Sequence, residues 1–228
     1  MFFSIIAEGT GFLILILLAG YLIGMFQTGY FVGKYYGIDI REHGSKNAGM
    51  TNVNRTLGKF PALLVFAVDV IKACLAFIVV PIVFLGASWD FSAWSHTYDS
   101  HWMIGLQQNK VLPLVAGFGA ILGHNFPFYL KFRGGKGIAC TLGIILMLSW
   151  QVALISFAIG FVLVAAFRYI SLSSLAITLA WPVLLLIFGY YAHTVILASM
   201  ISLLAWFMHR ENISRLISGT ERRFRFGK

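Results

Sequence analysis

Gly134-Gly135-Lys136-Gly137 is a glycine turn wrapped around a lysine, and it opens an uncharged apolar stretch at residues 138–167. Glycines bare their backbone N–H groups, a helix start turns its positive dipole end outward, and the lysine adds a full charge. That combination makes a cradle for an anion, phosphate first among them. It is not a nucleotide-triphosphate loop, because that pattern needs Ser or Thr after the lysine and Gly137 stands there. Lys131, Arg133 and the string Gly123-His124-Asn125-Phe126-Pro127 lie just upstream. The plainer reading of the same basic cluster is an anchor that orients a membrane helix.

Two further polar clusters carry chemistry. Residues 41–55 hold Gly44 and Gly49, which free the backbone to turn, and Ser45, Asn47, Thr51 and Asn52, which supply hydroxyl and amide groups. Arg55 supplies a planar fork suited to phosphate. The plainer reading is a loop rich in turn residues. The third cluster is His209-Arg210-Glu211-Asn212 with Arg215; His209 and Asn212, three apart, share a helix face. Its plainer reading is an interfacial helix end. Asp69 and Lys72 share a face inside an apolar segment, where a charged pair must pair internally. They read as a structural pair supporting the 41–55 cluster. Gly20/Gly24 and Gly29/Gly33 read as close helix packing. Cys74 and Cys140 read as buried packing residues, and no metal-ligand spacing occurs.

The elements that must position these clusters are membrane helices. Hydrophobic residues make up 59% of the 228, charged ones only 11%, and the mean hydropathy is +0.85. A soluble domain of this size could not hide so much apolar surface. Uncharged stretches run over residues 9–33, 111–130, 138–167 and 169–209, with 60–89 interrupted by Asp69 and Lys72. A span needs about 20 residues. The first stretch lacks the basic start and the cleavage site of a signal peptide.

Basic residues crowd the loop after the first stretch, the loop at 131–136, and the tail; the 86–110 loop has one lysine beside Asp90 and Asp99. The positive-inside rule places the three basic regions in the cytoplasm and the 86–110 loop outside, with the N-terminus also outside. Arg168 and the basic tail both return inside only if 138–167 crosses twice, turning at Ser149-Trp150-Gln151. The expected fold is an all-α polytopic membrane helix bundle with seven transmembrane spans, N-terminus outside and C-terminus cytoplasmic. One domain covers 1–228, and 220–228 forms a basic flexible tail near anionic headgroups. No nucleic-acid site is expected of that tail.

The strings GSKNAGMTNVNRTLGK, GHNFPFYLKFRGGKG and HRENISRLISG resemble, in order, the three motifs of the bacterial acyl-phosphate-dependent glycerol-3-phosphate acyltransferases. The resemblance covers nearly the whole chain. It implies an integral inner-membrane enzyme of phospholipid biosynthesis that acylates glycerol 3-phosphate with acyl phosphate to give lysophosphatidic acid, without a cofactor. By position it implies Ser45, Arg55, Lys136 and His209 as catalytic residues. It implies Asn47, Thr51, Asn52, His124, Gly134, Gly135, Gly137, Ser171 and Asn212 as substrate-binding ones. Lys46 stands where the family pattern has glycine, Met50 replaces an alanine, and Met25-Phe26-Gln27 replaces a Ser-Ile-Pro-like stretch.

Two phosphorylated substrates repel one another; like unit charges at 4 Å cost about 4 kcal/mol at an effective dielectric near 20. Arg55, Lys136 and His209 are therefore expected to neutralise both phosphates, with Lys136 and the glycine N–H groups on the donor and Arg55, His209 and Asn212 on the acceptor. The hydroxyl proton goes either to the donor's own phosphate oxygen or to His124 or His209. No His is followed five residues later by Asp in these clusters, which is the pattern of thioester-using acyltransferases. The competing class is a transporter of a phosphorylated small solute. It would line a path to the outer face with polar groups, whereas only Asp69 and Lys72 lie within a span.

Overall fold

A computed structural model describes the backbone of residues 2–85 and 111–224 and the side chains of 11–80, 82–83 and 111–224. The expected outer loop at 86–110, the Glu8 side chain near the N-terminus and tail residues 225–228 lie outside this description. Every described regular element is helical: α1 (Phe2–Gly24), α2 (Thr28–Tyr35), α3 (Met50–Leu57), α4 (Lys59–Leu85), α5 (Val111–Asn125), α6 (Ile138–Leu148), α7 (Trp150–Phe167), α8 (Ile170–Ile187), α9 (Ala192–Met208) and α10 (Arg210–Ile217), with 3-10 turns at Ile40–Glu42 and Phe128–Leu130.

Among the described residues, five segments are long and apolar enough to cross a membrane: Gly11–Tyr35, Lys59–Val80, Val111–Leu130, Trp150–Phe167 and Ile170–Ile187. The pair α9 and α10, bent by 61° at His209, makes a sixth if it is one span. The sequence expectation was seven, and the difference falls at α6. Its 11 residues rise only about 16 Å, short of a hydrocarbon layer of roughly 30 Å. Of the turn expected at 149–151, the helix breaks only at Ser149, and Trp150 and Gln151 already belong to α7. Ser149 leaves helical geometry, and its Oγ accepts from the Val152 N–H at 3.4 Å to start α7.

The chain divides into two compact units, Met1–Ile144 and Ile145–Lys228. In the first, α1 and α5 meet through small residues on both sides. A methyl group on Gly20 or Gly24 would overlap the Ala116 or Ala120 backbone, and one on Gly119 or Gly123 would overlap that of Leu17 or Tyr21. Where lipid is as apolar as leucine, such close backbone approach is what holds helices together. Gly29 and Gly33 do something else: they admit Ala48 and Ile40 of the following loop. That loop is pinned by a small core of Ile40, Ala48, Val53, Ala62 and Val65. Large apolar side chains such as Leu22, Phe60 and Leu63 face outward, as lipid contact requires.

In the second unit, α7, α8 and α9 pack side by side. Ser173 Oγ donates to the Gly160 carbonyl at 3.0 Å, and Ser202 Oγ donates to the Thr178 carbonyl at 2.6 Å. Trp181, on α8, is fully buried.

Candidate active site

In the first unit, two basic loops are braced on the same helices. The 41–55 loop is organised by Asn52, the third residue of α3. Its Oδ1 accepts from the Ser45 N–H at 2.7 Å, and its Nδ2 faces the carbonyls of Ile40, His43 and Asn47 at 2.9 Å each. Gly44 takes φ +58, and a Cβ there would strike Asn52 Oδ1. Asn47 Oδ1 accepts from the Gly49 N–H at 2.9 Å, just before α3 begins. Asn47 and Asn52 therefore shape the loop. Ser45, Lys46 and Arg55 are exposed on it, with Thr51 half-buried one turn from Arg55. Lys46 adopts φ +56, the left-handed region that suits the glycine of the family pattern.

Arg41 ties this loop to the next. It forms a two-pronged pair with Asp39, at 2.7 and 3.0 Å, and its Nη1 donates to the Leu130 carbonyl at 3.2 Å. The Arg41 guanidinium holds the Asp39 carboxyl below the usual carboxylate range.

The glycine-lysine turn folds back on the end of α5. The N–H of Gly134 donates to the Asn125 carbonyl at 3.1 Å, and that of Gly135 to the His124 carbonyl at 3.0 Å. These two donors are used within the protein. The expectation gave the glycine N–H groups to an anion; these two instead close the turn onto α5. Gly137 has φ +78, and a Cβ there would press on the Asn125 amide. The Asn125 side chain is buried beside it with no hydrogen-bond partner at Oδ1 or Nδ2.

Behind the turn lies a buried network that the sequence only half revealed. Lys72 Nζ contacts Asp69 Oδ1 at 2.7 Å, as the i,i+3 spacing predicts. It also reaches the Phe26 carbonyl at 2.6 Å and His124 Nδ1 at 2.9 Å, and Asp69 accepts from Thr28 Oγ1 at 3.1 Å. The pair thus braces the second cluster and the α1–α2 break, not the 41–55 loop. Gln27 Nε2 donates to the His124 carbonyl at 2.6 Å, and Tyr21 Oη to that of Phe126 at 2.7 Å. The Met25-Phe26-Gln27 departure therefore keeps the break without a proline.

In the second unit, one carboxylate gathers the third cluster. Glu221 Oε1 accepts from Ser171 Oγ at 2.9 Å and from Asn212 Nδ2 at 2.8 Å, and Oε2 accepts from Arg215 Nε at 2.7 Å. Burial alone would raise this carboxyl; the hydrogen bonds from Arg215, Asn212 and Ser171 outweigh it and hold the group below its ordinary range. Sequence reasoning missed Glu221. The only signal was a lone acid in an otherwise basic stretch. His209, buried at the α9–α10 bend, sets Nδ1 2.8 Å from the Ala205 carbonyl. Arg223 Nε donates to Tyr169 Oη at 3.3 Å, and the Phe224 N–H donates to the Arg168 carbonyl at 2.5 Å. Among the described residues no group of three or more His, Cys, Asp or Glu side chains could hold a metal ion.

A family profile described as glycerol-3-phosphate acyltransferase matches residues 14–219. The chain belongs to the glycerol-3-phosphate acyltransferase family. A relative of that name from Alkaliphilus metalliredigens (strain QYMF) is 38% identical over 211 residues, 92% of this chain and 95% of the relative. One from Aquifex aeolicus (strain VF5) is 34% identical over 204 residues, 90% and 95% of the two chains. The crystal structure of PlsY (YgiH), an integral membrane glycerol 3-phosphate acyltransferase in its glycerol 3-phosphate form, superposes with a TM-score of 0.77 at 32% identity, covering 93% of this chain and 96% of that one. The lysophosphatidic acid form of PlsY gives a TM-score of 0.75. Within this family frame, the first unit brings the loops of Ser45, Thr51 and Arg55 and of His124 and Lys136 onto shared supports. The second unit joins Ser171 to Asn212 through Glu221, with His209 three residues before Asn212.

Proposed function

We propose that the protein transfers a fatty acyl group from acyl phosphate to sn-glycerol 3-phosphate, releasing lysophosphatidic acid and phosphate, as a step of phospholipid synthesis at the cytoplasmic face of a bacterial inner membrane. The observation that carries this reading is that the Arg41–Leu130 bond ties the loop of Arg55 to that of Lys136, while the buried Lys72 network braces the latter from behind. Two substrates with phosphate groups need two cationic holders at fixed positions. The PlsY structures, in a glycerol 3-phosphate form and a lysophosphatidic acid form, support the same acceptor and product.

Lys136 and the α6 start hold the donor phosphate; Arg55, His209 and Asn212 hold glycerol 3-phosphate, with Ser45, Thr51 and Ser171 contributing hydroxyl contacts. Asn47, Asn52, Gly134, Gly135 and Gly137 keep those groups in place. The acceptor hydroxyl oxygen attacks the acyl carbonyl carbon, and the bond from that carbon to the phosphate oxygen breaks. Phosphate leaves with the electron pair. The hydroxyl proton passes to a phosphate oxygen or to a histidine. Fixed positive groups at the developing charge account for the acceleration. The acyl chain lies among the helices, open to lipid.

The architecture that goes with this reading has seven spans, with the N-terminus outside and the C-terminus inside, and a single catalytic domain; the family match through both units supports that unity. Replacing Lys136 or Arg55 by Met should each lower kcat/KM for acyl transfer by about 10²–10³-fold, the usual effect of removing one charge-stabilising donor. Steady-state kinetics on purified variants check this. Wild-type rates in either variant would contradict the assignment.

A further inference from the structure

Lys72 sits among three acceptors: Asp69 Oδ1, the Phe26 carbonyl oxygen and His124 Nδ1. An ammonium has three hydrogens and accepts none. Each hydrogen is committed to one of these partners, so His124 Nδ1 must present its lone pair. The imidazole hydrogen then sits on Nε2. Asp69 Oδ1 lies 3.6 Å from the same Nδ1, beyond hydrogen-bond range, and does not compete for the ring. All three side chains are buried. One carboxylate, one ammonium and one neutral ring leave no net charge stranded in hydrocarbon. The Asp69 carboxylate lies 2.7 Å from the Lys72 nitrogen.

The other ring nitrogen faces the glycine-lysine turn. A Cβ on Gly135 would overlap His124 Nε2, and the Gly135 N–H returns to the His124 carbonyl. Ring and turn position each other. We propose that Asp69 and Lys72 lock His124 in the Nε2–H tautomer, making it a neutral hydrogen-bond donor to a phosphate oxygen at this turn and barring it from accepting the hydroxyl proton. Asp69 and Lys72 are positioning residues. The inference rests on the acyl-transfer reading and deepens it by removing one of two histidines as base. His209 is held the opposite way: the Ala205 carbonyl can only accept, so Nδ1 carries the hydrogen there.

Nitrogen-15 spectra of the full-length, histidine-labelled protein in nanodiscs, with His124 assigned by difference from His124→Gln, read the tautomer without substrate. The expected spectrum has a protonated Nε2 and an unprotonated Nδ1 for His124, and Lys72→Met moves hydrogen onto Nδ1. An imidazolium, or hydrogen on Nδ1 in the wild type, would overturn the proposal. The wild-type spectrum decides even if Lys72→Met does not fold. Kinetics give a second readout, because a glutamine amide still donates. His124→Gln should keep kcat within about ten-fold and raise the KM for acyl phosphate several-fold, where loss of a general base costs 10²–10⁴-fold. A loss of 100-fold or more in kcat at unchanged KM would mark His124 as the base. Absence of acyl transfer by the wild type would instead sink the functional reading and leave the tautomer result standing.

Discussion

Glu221 illustrates how much one side chain decides at the residue scale. It joins Ser171, Asn212 and Arg215, which belong to two helices. Its carboxyl is held below the ordinary range, so it contributes stability that is complete above that range and is lost as pH falls through the folded value. Thermal melts of wild type and Glu221→Gln should therefore differ most at neutral pH and converge on acidification. A gap that does not change with pH would contradict this. Residue types are what nominated His209, Asn212, Arg55 and Lys136 from the sequence, because hydroxyls, amides and cations suit an anion. Glu221 was not legible, since its partners lie 6, 9 and 50 residues away. Spacing gave the Asp69–Lys72 pair, but not His124, which is 52 residues from Lys72.

Elements set the geometry in which those residues act. The α3 start holds the Ser45 backbone through Asn52, which the sequence suggested as a substrate contact. A loop's internal hydrogen bonds leave no periodic trace in the sequence. Asn52→Ala leaves buried carbonyls and the Ser45 N–H without that partner, which costs about 1–3 kcal/mol for each buried group left unsatisfied. Lower thermal stability and a raised KM for glycerol 3-phosphate, with kcat less affected, are the expected outcomes. Unchanged melting and kinetics would show that the loop is held otherwise. The α1–α5 contact was legible on the α1 side, where Gly20 and Gly24 have the spacing of close-packed helices. Gly29 and Gly33 share that spacing yet serve the loop, because spacing states which face is small and not what fills it.

At the scale of the whole molecule, hydropathy and charge fixed the class of fold, while span number was legible only where helices are long. α6 is too short for the length rule to count, and parity of the basic loops is what argues for seven crossings. In intact cells, a membrane-impermeant maleimide should label His96→Cys at once and Thr220→Cys only after permeabilisation; both labelling together would refute the proposed orientation. The chemistry of the donor is tested most directly by incubating the purified protein with radiolabelled glycerol 3-phosphate and either palmitoyl phosphate or palmitoyl-coenzyme A. The proposed reaction, with one phosphate held by each cationic loop, predicts labelled lysophosphatidic acid from palmitoyl phosphate. Labelled product from the coenzyme A ester alone would contradict it.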